Sequence, residues 1–261
     1  MLRLSVIVIA KNEAQNIRRC LASVTWADEV IVLDSGSADE TVALAKEFTP
    51  HVFCTDWQGY GVQKQRALAR ASGDWVLNLD ADESVSAALR QVMVAMMLSN
   101  QFDACRVPIR MCFYGKQLRF SSSPTRHVRL FKRDGAHFST DIVHEKIILP
   151  PSARIGQLKI PLLHHSFRDV SHAIDKMNRY SSYSAKIRLE EKHHSSTGRA
   201  LLSACWMFFR CYVLQRGFVD GSPGFLFAVM NAQGAFFRSI KQVYPDRSRE
   251  QLPSVVIQNK V

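Results

Sequence analysis

Frameworks built on cysteine are absent from this sequence. None of its six cysteines forms a C-x-x-C pair, and their irregular spacing matches neither a zinc site nor a dense set of disulfides. They are Cys20, Cys54, Cys105, Cys112, Cys205 and Cys211. We therefore expect reduced, mostly buried thiols in a protein of the cytoplasm.

Signals for export and for nucleic-acid binding are also absent. The first residues, MLRLSVIVIA, contain too short an apolar run for a signal peptide and no small-residue cleavage site. No helix-turn-helix or RNA-binding signature follows. These absences predict a chain that stays in the cytoplasm and has no nucleic-acid partner.

The sequence does contain enough apolar residues for a core, together with an excess of positive charge. Of its 261 residues, 47% are hydrophobic, which fits one large domain or one domain with an appendage. The formal net charge of +11 favours polyanions, which include nucleic acid, anionic membrane surfaces and phosphorylated substrates. Charge alone does not choose among them.

The first half of the chain alternates short β-branched runs with amphipathic stretches, the pattern of a parallel sheet covered by helices. The fold class predicted is therefore α/β. Parallel strands are predicted at residues 4–9, 29–33, 51–54 and 75–79, and helices at 14–24, 38–48 and 62–71.

The second half changes from β-rich to helical. Segments rich in β-formers run from residue 102, and helical patterns at 170–192 and 200–214 follow residue 165. We expect a first domain at 1–165, with halves 1–100 and 101–165, and a C-terminal amphipathic helical region at 166–261.

Two stretches of this C-terminal region are strongly apolar. The uncharged run 221–237 is nearly long enough to span a bilayer, but glycines, a proline, Asn231 and Gln233 weaken that interpretation. Amphipathic helices at a membrane interface are favoured, with aromatic side chains toward lipid and arginines near headgroups. The aromatic residues are Trp206, Phe208, Phe209, Tyr212, Phe225 and Phe227, and the arginines are Arg199, Arg210, Arg216 and Arg238. The apolar pattern fits a helical pair packed on the first domain equally well.

An acidic residue stands at the end of the second predicted strand. In VLDSGSADET, Asp34 precedes a turn of small residues and a new helix. Ligands bind at this edge of open parallel sheets, where a carboxylate can accept hydrogen bonds from a base or a ribose. Ordinary helix capping explains Ser37 and Asp39 better than it explains Asp34.

Two more carboxylates follow the fourth predicted strand, in LNLDADE. Asp80 and Asp82 would point the same way on an extended backbone. Such a pair can hold a divalent cation, Mn²⁺ or Mg²⁺, whose open positions are filled by diphosphate oxygens. Taken in isolation, a solvated acidic turn explains D-x-D better.

The combination of these segments resembles the nucleotide-binding half of family 2 glycosyltransferases. SVIVIAKNEAQNIRRCLASV, EVIVLDSGSADET, the helix at 63–73 and DWVLNLDADE occur in the order and spacing of that family, most closely over the first 90 residues. The resemblance implies a GT-A, Rossmann-like mixed sheet with flanking helices, a UDP-sugar donor and inversion of the anomeric centre. Residues 1–165 would be the catalytic domain, with 1–100 its nucleotide-binding half and 101–165 its acceptor side.

The same resemblance assigns residues to the nucleotide-sugar site. Asp34 matches the base-binding aspartate, and Asp82 matches the metal ligand of the D-x-D motif. The loop after the first strand lacks the family's usual proline and tyrosine, which removes an aromatic that could stack on the base, while Glu13 remains as a uridine contact. The residues assigned to nucleotide-sugar binding are Lys11, Asn12, Glu13, Asp34, Ser35, Gly36, Lys64, Arg66, Asp80 and Ala81.

An inverting transfer needs a base for the acceptor hydroxyl, and the segment STDIVHEKIIL supplies candidates. A similar V-H-E stretch recurs in bacterial relatives of this group. Glu145 is the predicted base, with Asp141 as the alternative and His144 as a metal or diphosphate ligand. A salt bridge on a strand surface would also explain Glu145.

Basic residues between 106 and 133 are candidates for binding the diphosphate or a phosphorylated acceptor. Arg126 and Arg129 lie nearest the expected site, although such residues also solvate strand faces.

The acceptor is suggested by a narrower resemblance. FFRCYVLQRGFVDGSPGF is similar to a pattern of bacterial lipopolysaccharide inner-core β-glucosyltransferases, which implies glucose transfer to the first heptose of a lipid A-core precursor at the cytoplasmic face of the inner membrane. Another UDP-sugar and envelope glycan remain open, as does a non-catalytic basic protein of the membrane surface. A sugar-nucleotide pyrophosphorylase would need a glycine-rich basic loop where this chain has AKNEAQN.

Overall fold

The computed structural model describes residues 2–113, 115–121, 125–139, 145–165, 167 and 169–245. Asp141 and His144, both predicted at the site, lie outside these residues. The chain divides into two compact units, which we call unit 1 (1–110 and 124–165) and unit 2 (111–123 and 166–261). Unit 2 thus includes residues 111–123, a segment that the sequence analysis placed in the first domain.

The strands are β1 Leu4–Ala10, β2 Glu29–Asp34, β3 Val52–Cys54, β4 Trp75–Asp80, β5 Glu83–Ser84, β6 Ala104–Phe113, β7 Lys116–Gln117, β8 Thr125–Lys132, β9 His137–Phe138, β10 Ile147–Ile148, β11 Ile155–Gln157 and β12 Leu162–His164. The α-helices are α1 Ala14–Ala22, α2 Thr41–Lys46, α3 Tyr60–Leu68, α4 Ala87–Ser99, α5 Val170–Glu190, α6 Thr197–Phe209 and α7 Ser222–Val243. A π-helical turn at Arg210–Leu214 and a 3-10 turn at Gly217–Asp220 connect α6 to α7.

The first four strands form the parallel half of the sheet, as the sequence predicts. β1 pairs with β2 on one side and with β4 on the other, and β3 extends the sheet beyond β2. In this register Ala10 is opposite Asp34 and Ile9 is opposite Asp80. The carboxyl ends of β2 and β4 therefore flank the end of β1.

Antiparallel strands complete the sheet of unit 1 in the order β3-β2-β1-β4-β8-β6-β12-β5. β8 pairs with β4, and β12 sets His164 opposite Glu83 of β5. The predicted fold class, α/β with a mixed sheet and flanking helices, is confirmed.

The core of unit 1 explains why β1 is so apolar. Helices cover both faces of the parallel strands, so that successive side chains of β1 are buried whichever way they point. A close approach occurs at Gly73, where a Cβ would lie 2.8 Å from the carbonyl oxygen of Arg3. Only glycine fits that position.

The described residues of unit 2 lie mainly in helices. The DGSPGF part of the sequence has a packing role there: Asp220 accepts hydrogen bonds from the backbone N–H groups of Arg119, Phe120 and Ser121 at 2.8–3.0 Å. A Cβ on Gly224 would lie 2.1 Å from the carbonyl oxygen of Gly217, so the absence of a side chain at Gly224 allows the two backbones to meet.

Within the described residues, no helix combines the length and apolarity needed to cross a bilayer. Large apolar side chains are nevertheless exposed along α6 and the turns that follow it. They include Leu201, Leu202, Trp206, Phe209, Val213, Leu214, Phe218 and Val219.

Candidate active site

Two loops at the carboxyl edge of the sheet are joined by hydrogen bonds. In the loop after β1, the backbone N–H of Asn12 donates to Ser37 Oγ at 2.8 Å, and Asn12 Oδ1 accepts from the N–H of Ala38 at 2.8 Å. The N–H of Glu13 donates to Thr41 Oγ1 at 2.7 Å. Asn12 has a φ of 57°, a left-handed conformation that asparagine tolerates better than most residues. We call these two loops, residues 11–13 and 35–41, the loop wall.

Asp34 fixes the start of the 35–41 loop, one of the two loops of the loop wall. Its buried carboxylate accepts hydrogen bonds from the N–H groups of Gly36, at 2.9 Å, and Ser37, at 2.8 Å, and from the Ser37 hydroxyl. Gly36 has a φ of +82°, which favours glycine. Asp34 therefore organises its own turn, while Asp39 accepts a hydrogen bond from the N–H of Thr41, at 3.0 Å, at the start of α2.

Asp80 is partly exposed and pairs with buried charges in an arrangement that the sequence did not reveal. Its Oδ2 is 2.6 Å from Arg129 Nη2, and its Oδ1 is 3.2 Å from Lys64 Nζ. The same Arg129 nitrogen is 2.9 Å from Glu83 Oε1, and Glu83 is only 1% exposed. One guanidinium thus binds two carboxylates.

The pKa values in this group follow from burial and charge. Burial opposes ionisation of Asp80, but Arg129 and Lys64 outweigh it and hold the pKa of Asp80 well below its usual range. For Glu83, burial and then the Asp80 charge outweigh Arg129 and raise the pKa. Burial lowers the pKa of Arg129, but the two carboxylates more than reverse this effect. Asp80 is accordingly ionised, and Glu83 is the carboxyl that accepts a proton first.

Asp82 lies apart from this group, which corrects one expectation. β4 ends at Asp80 and the chain turns through Ala81 and Asp82, so the extended backbone assumed for D-x-D is wrong. Asp82 Oδ2 is instead 2.8 Å from His164 Nε2, a side chain that the β5–β12 pairing brings alongside. Burial lowers the pKa of His164, but the hydrogen bond and charge of Asp82 outweigh it and raise the pKa.

Glu145, distant in sequence, reaches the same site. Its Oε1 lies 2.7 Å from Lys64 Nζ, so a single ammonium group connects Glu145 to Asp80. The β9–β10 hairpin delivers Glu145, and the backbone N–H of Phe138 in β9 donates to Gln65 Oε1 of α3 at 2.8 Å. Helix α3 therefore carries Lys64 and also anchors the hairpin that presents the predicted base.

The remaining predicted residues have varied surroundings. Ser35 Oγ accepts a hydrogen bond from buried Gln63 at 2.8 Å, and Arg66 Nη1 lies 2.9 Å from Asp56 Oδ1. Ala81 is buried, Lys11 is half-buried and Arg126 is exposed. Arg66 is half-buried, and Arg126 is a surface side chain.

Sequence reasoning missed Glu83, His164 and Gln63. Glu83 directly follows D-A-D, so a run of three acids after a buried strand was an available signal. His164 and Gln63 gave no such signal, because their roles depend on contacts 82 and 28 residues away along the chain.

Within the described ranges, no group of three or more histidine, cysteine or acidic residues is placed to hold a metal ion. Both Asp80 oxygens are bound by protein cations, although the Asp80 side chain is 35% exposed. Asp82, 22% exposed, pairs through Oδ2 with His164, and no cation among the described residues pairs with its Oδ1, which suits Asp82 better as an oxygen ligand.

Comparison with known proteins identifies relatives over most of the chain. Residues 5–149 match the family model described as glycosyl transferase family 2. An uncharacterized glycosyltransferase of Rickettsia typhi is 32% identical, over 92% of this chain and 87% of the relative. The lipopolysaccharide core biosynthesis glycosyltransferase LpsC of Rhizobium meliloti is 29% identical, over 97% and 96% of the two chains.

Among solved structures, Staphylococcus aureus TarS (residues 1–349, in complex with UDP-GlcNAc) is similar with a TM-score of 0.47. It is 15% identical in sequence, and the match covers 93% of this chain and 91% of that one.

Proposed function

Because the chain belongs to glycosyl transferase family 2, we propose that it is an inverting hexosyltransferase that moves glucose from UDP-glucose onto the first heptose of a lipid A-core precursor. The observation that carries the proposal is the meeting of Asp80, Lys64 and Glu145 at the carboxyl end of β4. Similarity to LpsC supports a lipopolysaccharide acceptor.

The donor nucleotide is proposed to bind along the loop wall. In this proposal Asp34 orders the loop wall and Glu13 contacts uridine. The other residues in contact with the nucleotide are Lys11, Asn12, Ser35 and Gly36. Lys64, Arg66, Asp80 and Ala81 are proposed to face the sugar and diphosphate. The location fits the rule that ligands of open α/β sheets bind beyond the carboxyl ends of the strands.

Glu145 is the proposed base, with Asp141 as the alternative. The acceptor hydroxyl gives its proton to Glu145 while its oxygen attacks the anomeric carbon from the face opposite the diphosphate. The bond from that carbon to the diphosphate oxygen breaks, UDP leaves, and the configuration inverts. Lys64 is a positioning residue, because its ammonium lies 2.7 Å from Glu145 Oε1 and 3.2 Å from Asp80 Oδ1 and so holds the base beside the end of β4.

A divalent cation, Mn²⁺ or Mg²⁺, is proposed to bind Asp82, with His144 as a second ligand. The partly exposed Asp82 carboxylate fits this role, and the bound cation would supply charge stabilisation for the departing diphosphate. Arg129 is engaged by Asp80 and Glu83, so it acts on the site by fixing Asp80. Exposed Arg126 is the proposed contact to diphosphate or to an anionic acceptor.

Unit 2 is proposed to contact the cytoplasmic face of the inner membrane. Exposed apolar side chains such as Trp206 and Phe209 occur on α6, and exposed Arg210 directly follows that helix. Apolar and cationic side chains in combination bind anionic lipid surfaces. A lipid-anchored acceptor would then be reached at that surface.

The test is UDP-glucose turnover by purified protein with Mn²⁺ or Mg²⁺. Glu145→Gln should lower the rate by about 10² to 10⁴ while UDP affinity is kept, because only the base is removed. Glu47→Gln, which removes an exposed carboxylate paired with Arg18, is the control and should leave turnover unchanged. Normal turnover of Glu145→Gln would remove Glu145 from the role of base. Turnover with a different UDP-sugar alone would favour another envelope glycan, and UDP binding absent altogether would favour a non-catalytic surface protein.

A further inference from the structure

Unit 2 contains a small polar cavity, of about 240 Å³, between the end of α5, the start of α6 and α7. Side chains of Arg188, Glu191, His193, His194, Ser195 and Arg199 line it, and polar residues of α6 and α7 complete the wall. We call it the basic cavity. Its volume lies just below the roughly 300 Å³ at which small-molecule pockets begin, so it suits a small group better than a nucleotide.

Positive charge in the basic cavity exceeds negative charge. Arg188 and Arg199 carry permanent charge, and the acid of the lining, Glu191, has an oxygen 3.7 Å from His193 Nε2. Among the described residues, no carboxylate forms an ion pair with Arg188 or Arg199. Arg199 Nη1 donates to the carbonyl oxygen of His194, at 2.6 Å.

Arg238 adds a third cation close by. It lies on α7, and burial followed by the charge of Arg188 lowers its pKa. Its Nε is covered and has no hydrogen-bond partner in the described part of the chain. Like charges that lie close together are destabilising, and a bound anion would relieve their repulsion.

The lining also contains a hydroxyl without a partner. Ser195 Oγ is covered and, within the described residues, makes no hydrogen bond. An unsatisfied buried polar group costs about 1–3 kcal/mol, a cost that a ligand oxygen would offset. The neighbouring Ser196 caps α6, which brings the positive end of that helix to the same place.

We propose that the basic cavity binds a phosphomonoester through Arg188 and Arg199. Two guanidinium groups can each give paired N–H donors to phosphate oxygens, and Ser195 supplies a further donor. The phosphate belongs either to a lipid headgroup or to a phosphorylated saccharide.

Calorimetry on the full chain tests the site with inorganic phosphate at constant ionic strength, in the presence of excess UDP. Wild type should bind phosphate, and Arg188→Gln and Arg199→Gln should each weaken binding at least tenfold. Arg179→Gln removes the same charge from an exposed position on α5 and should change the affinity less than twofold. Equal affinities for all four proteins, a wild type that does not bind phosphate, or an equal loss in Arg179→Gln would overturn the proposal.

A second arm separates the two sources of phosphate. Vesicles of phosphatidylcholine with phosphatidic acid are compared with vesicles that carry phosphatidylglycerol at matched charge. Preference for phosphatidic acid that Arg188→Gln loses and Arg179→Gln keeps indicates a lipid phosphomonoester. Phosphate binding without that preference indicates a soluble phosphorylated saccharide. Neither readout uses sugar transfer, so a failure of the proposed function would leave this result intact.

Discussion

Replacing Arg129 by methionine should destabilise unit 1 strongly. The guanidinium serves two carboxylates, and Glu83 is the more dependent of them because it is 1% exposed. Removing one partner of a buried ion pair costs about 3–5 kcal/mol. Methionine also removes the covered, unpartnered Nε of Arg129, which offsets part of the loss. We therefore expect the free energy of unfolding to fall by about 3 kcal/mol.

Urea unfolding followed by tryptophan fluorescence measures this change. Trp26, Trp57 and Trp75 lie in unit 1 and only Trp206 lies in unit 2, so the signal reports mainly unit 1. Arg126→Met is the matched control, since Arg126 is exposed on the same strand and should cost less than about 0.5 kcal/mol.

The loss should depend on pH and on Glu83. Without Arg129, the folded pKa of Glu83 lies further above its unfolded value of about 4.3. The loss in free energy of unfolding caused by Arg129→Met is therefore smallest near this pH and increases as pH rises through the folded pKa of Glu83. Adding Glu83→Gln to Arg129→Met should restore about 2 kcal/mol near pH 8. If Arg129→Met is as stable as wild type, or Glu83→Gln worsens it, the buried ion pair does not have the role described.

Three further outcomes are expected. Gly73→Ala should cost about 1–3 kcal/mol in urea unfolding, because its Cβ meets the backbone at 2.8 Å. Gly198→Ala, in open space on α6, should instead stabilise the protein by up to about 1 kcal/mol. Equal effects of the two substitutions would contradict the packing described. Asp220→Ala should cost about 2–4 kcal/mol and remove hydrogen-exchange protection at residues 119–121, while retained protection would show that Asp220 is not their anchor. His164→Gln should cost about 1 kcal/mol near pH 6 and progressively less toward pH 9. The raised pKa of His164 contributes stability below the ordinary histidine pKa, and this contribution is lost as pH rises through the folded pKa. A difference in stability that does not depend on pH would contradict the pairing of His164 with Asp82.

Local pattern was sufficient for the parallel half of the fold. The apolar runs that end at Asp34 and Asp80 predicted β2 and β4 to within one residue, because fully buried strands need continuous apolar sequence. The π-helical turn at Arg210–Leu214 was not predicted, since its residues continue the apolar pattern of α6. Helix ends were the least predictable feature: α2 begins at Thr41, three residues later than expected.

The sequence predicts which residues belong to the site, and the structure adds the contacts that the sequence could not predict. That Asp34 and Asp80 flank β1 follows from strand order, which the α/β pattern implies. That Lys64 joins Asp80 to Glu145 depends on a hairpin that docks 81 residues away along the chain. Arg129 has the sequence context of a surface arginine, and only the pairing of β8 with β4 shows that it is buried.

The hydrogen bonds within the loop wall affect the affinity for a ligand bound there. They join Asn12 and Glu13 to Ser37, Ala38 and Thr41. Ordering a backbone costs about 1–2 kcal/mol per residue, and here that cost is met when the protein folds rather than when a molecule arrives. A ligand that binds at the loop wall would therefore keep more of its interaction energy as affinity. It could also bind and dissociate without a slow rearrangement of the protein. A substitution in residues 11–13 should also change the conformation of residues 35–41, and the reverse. We therefore expect substitutions in these two loops to occur in pairs.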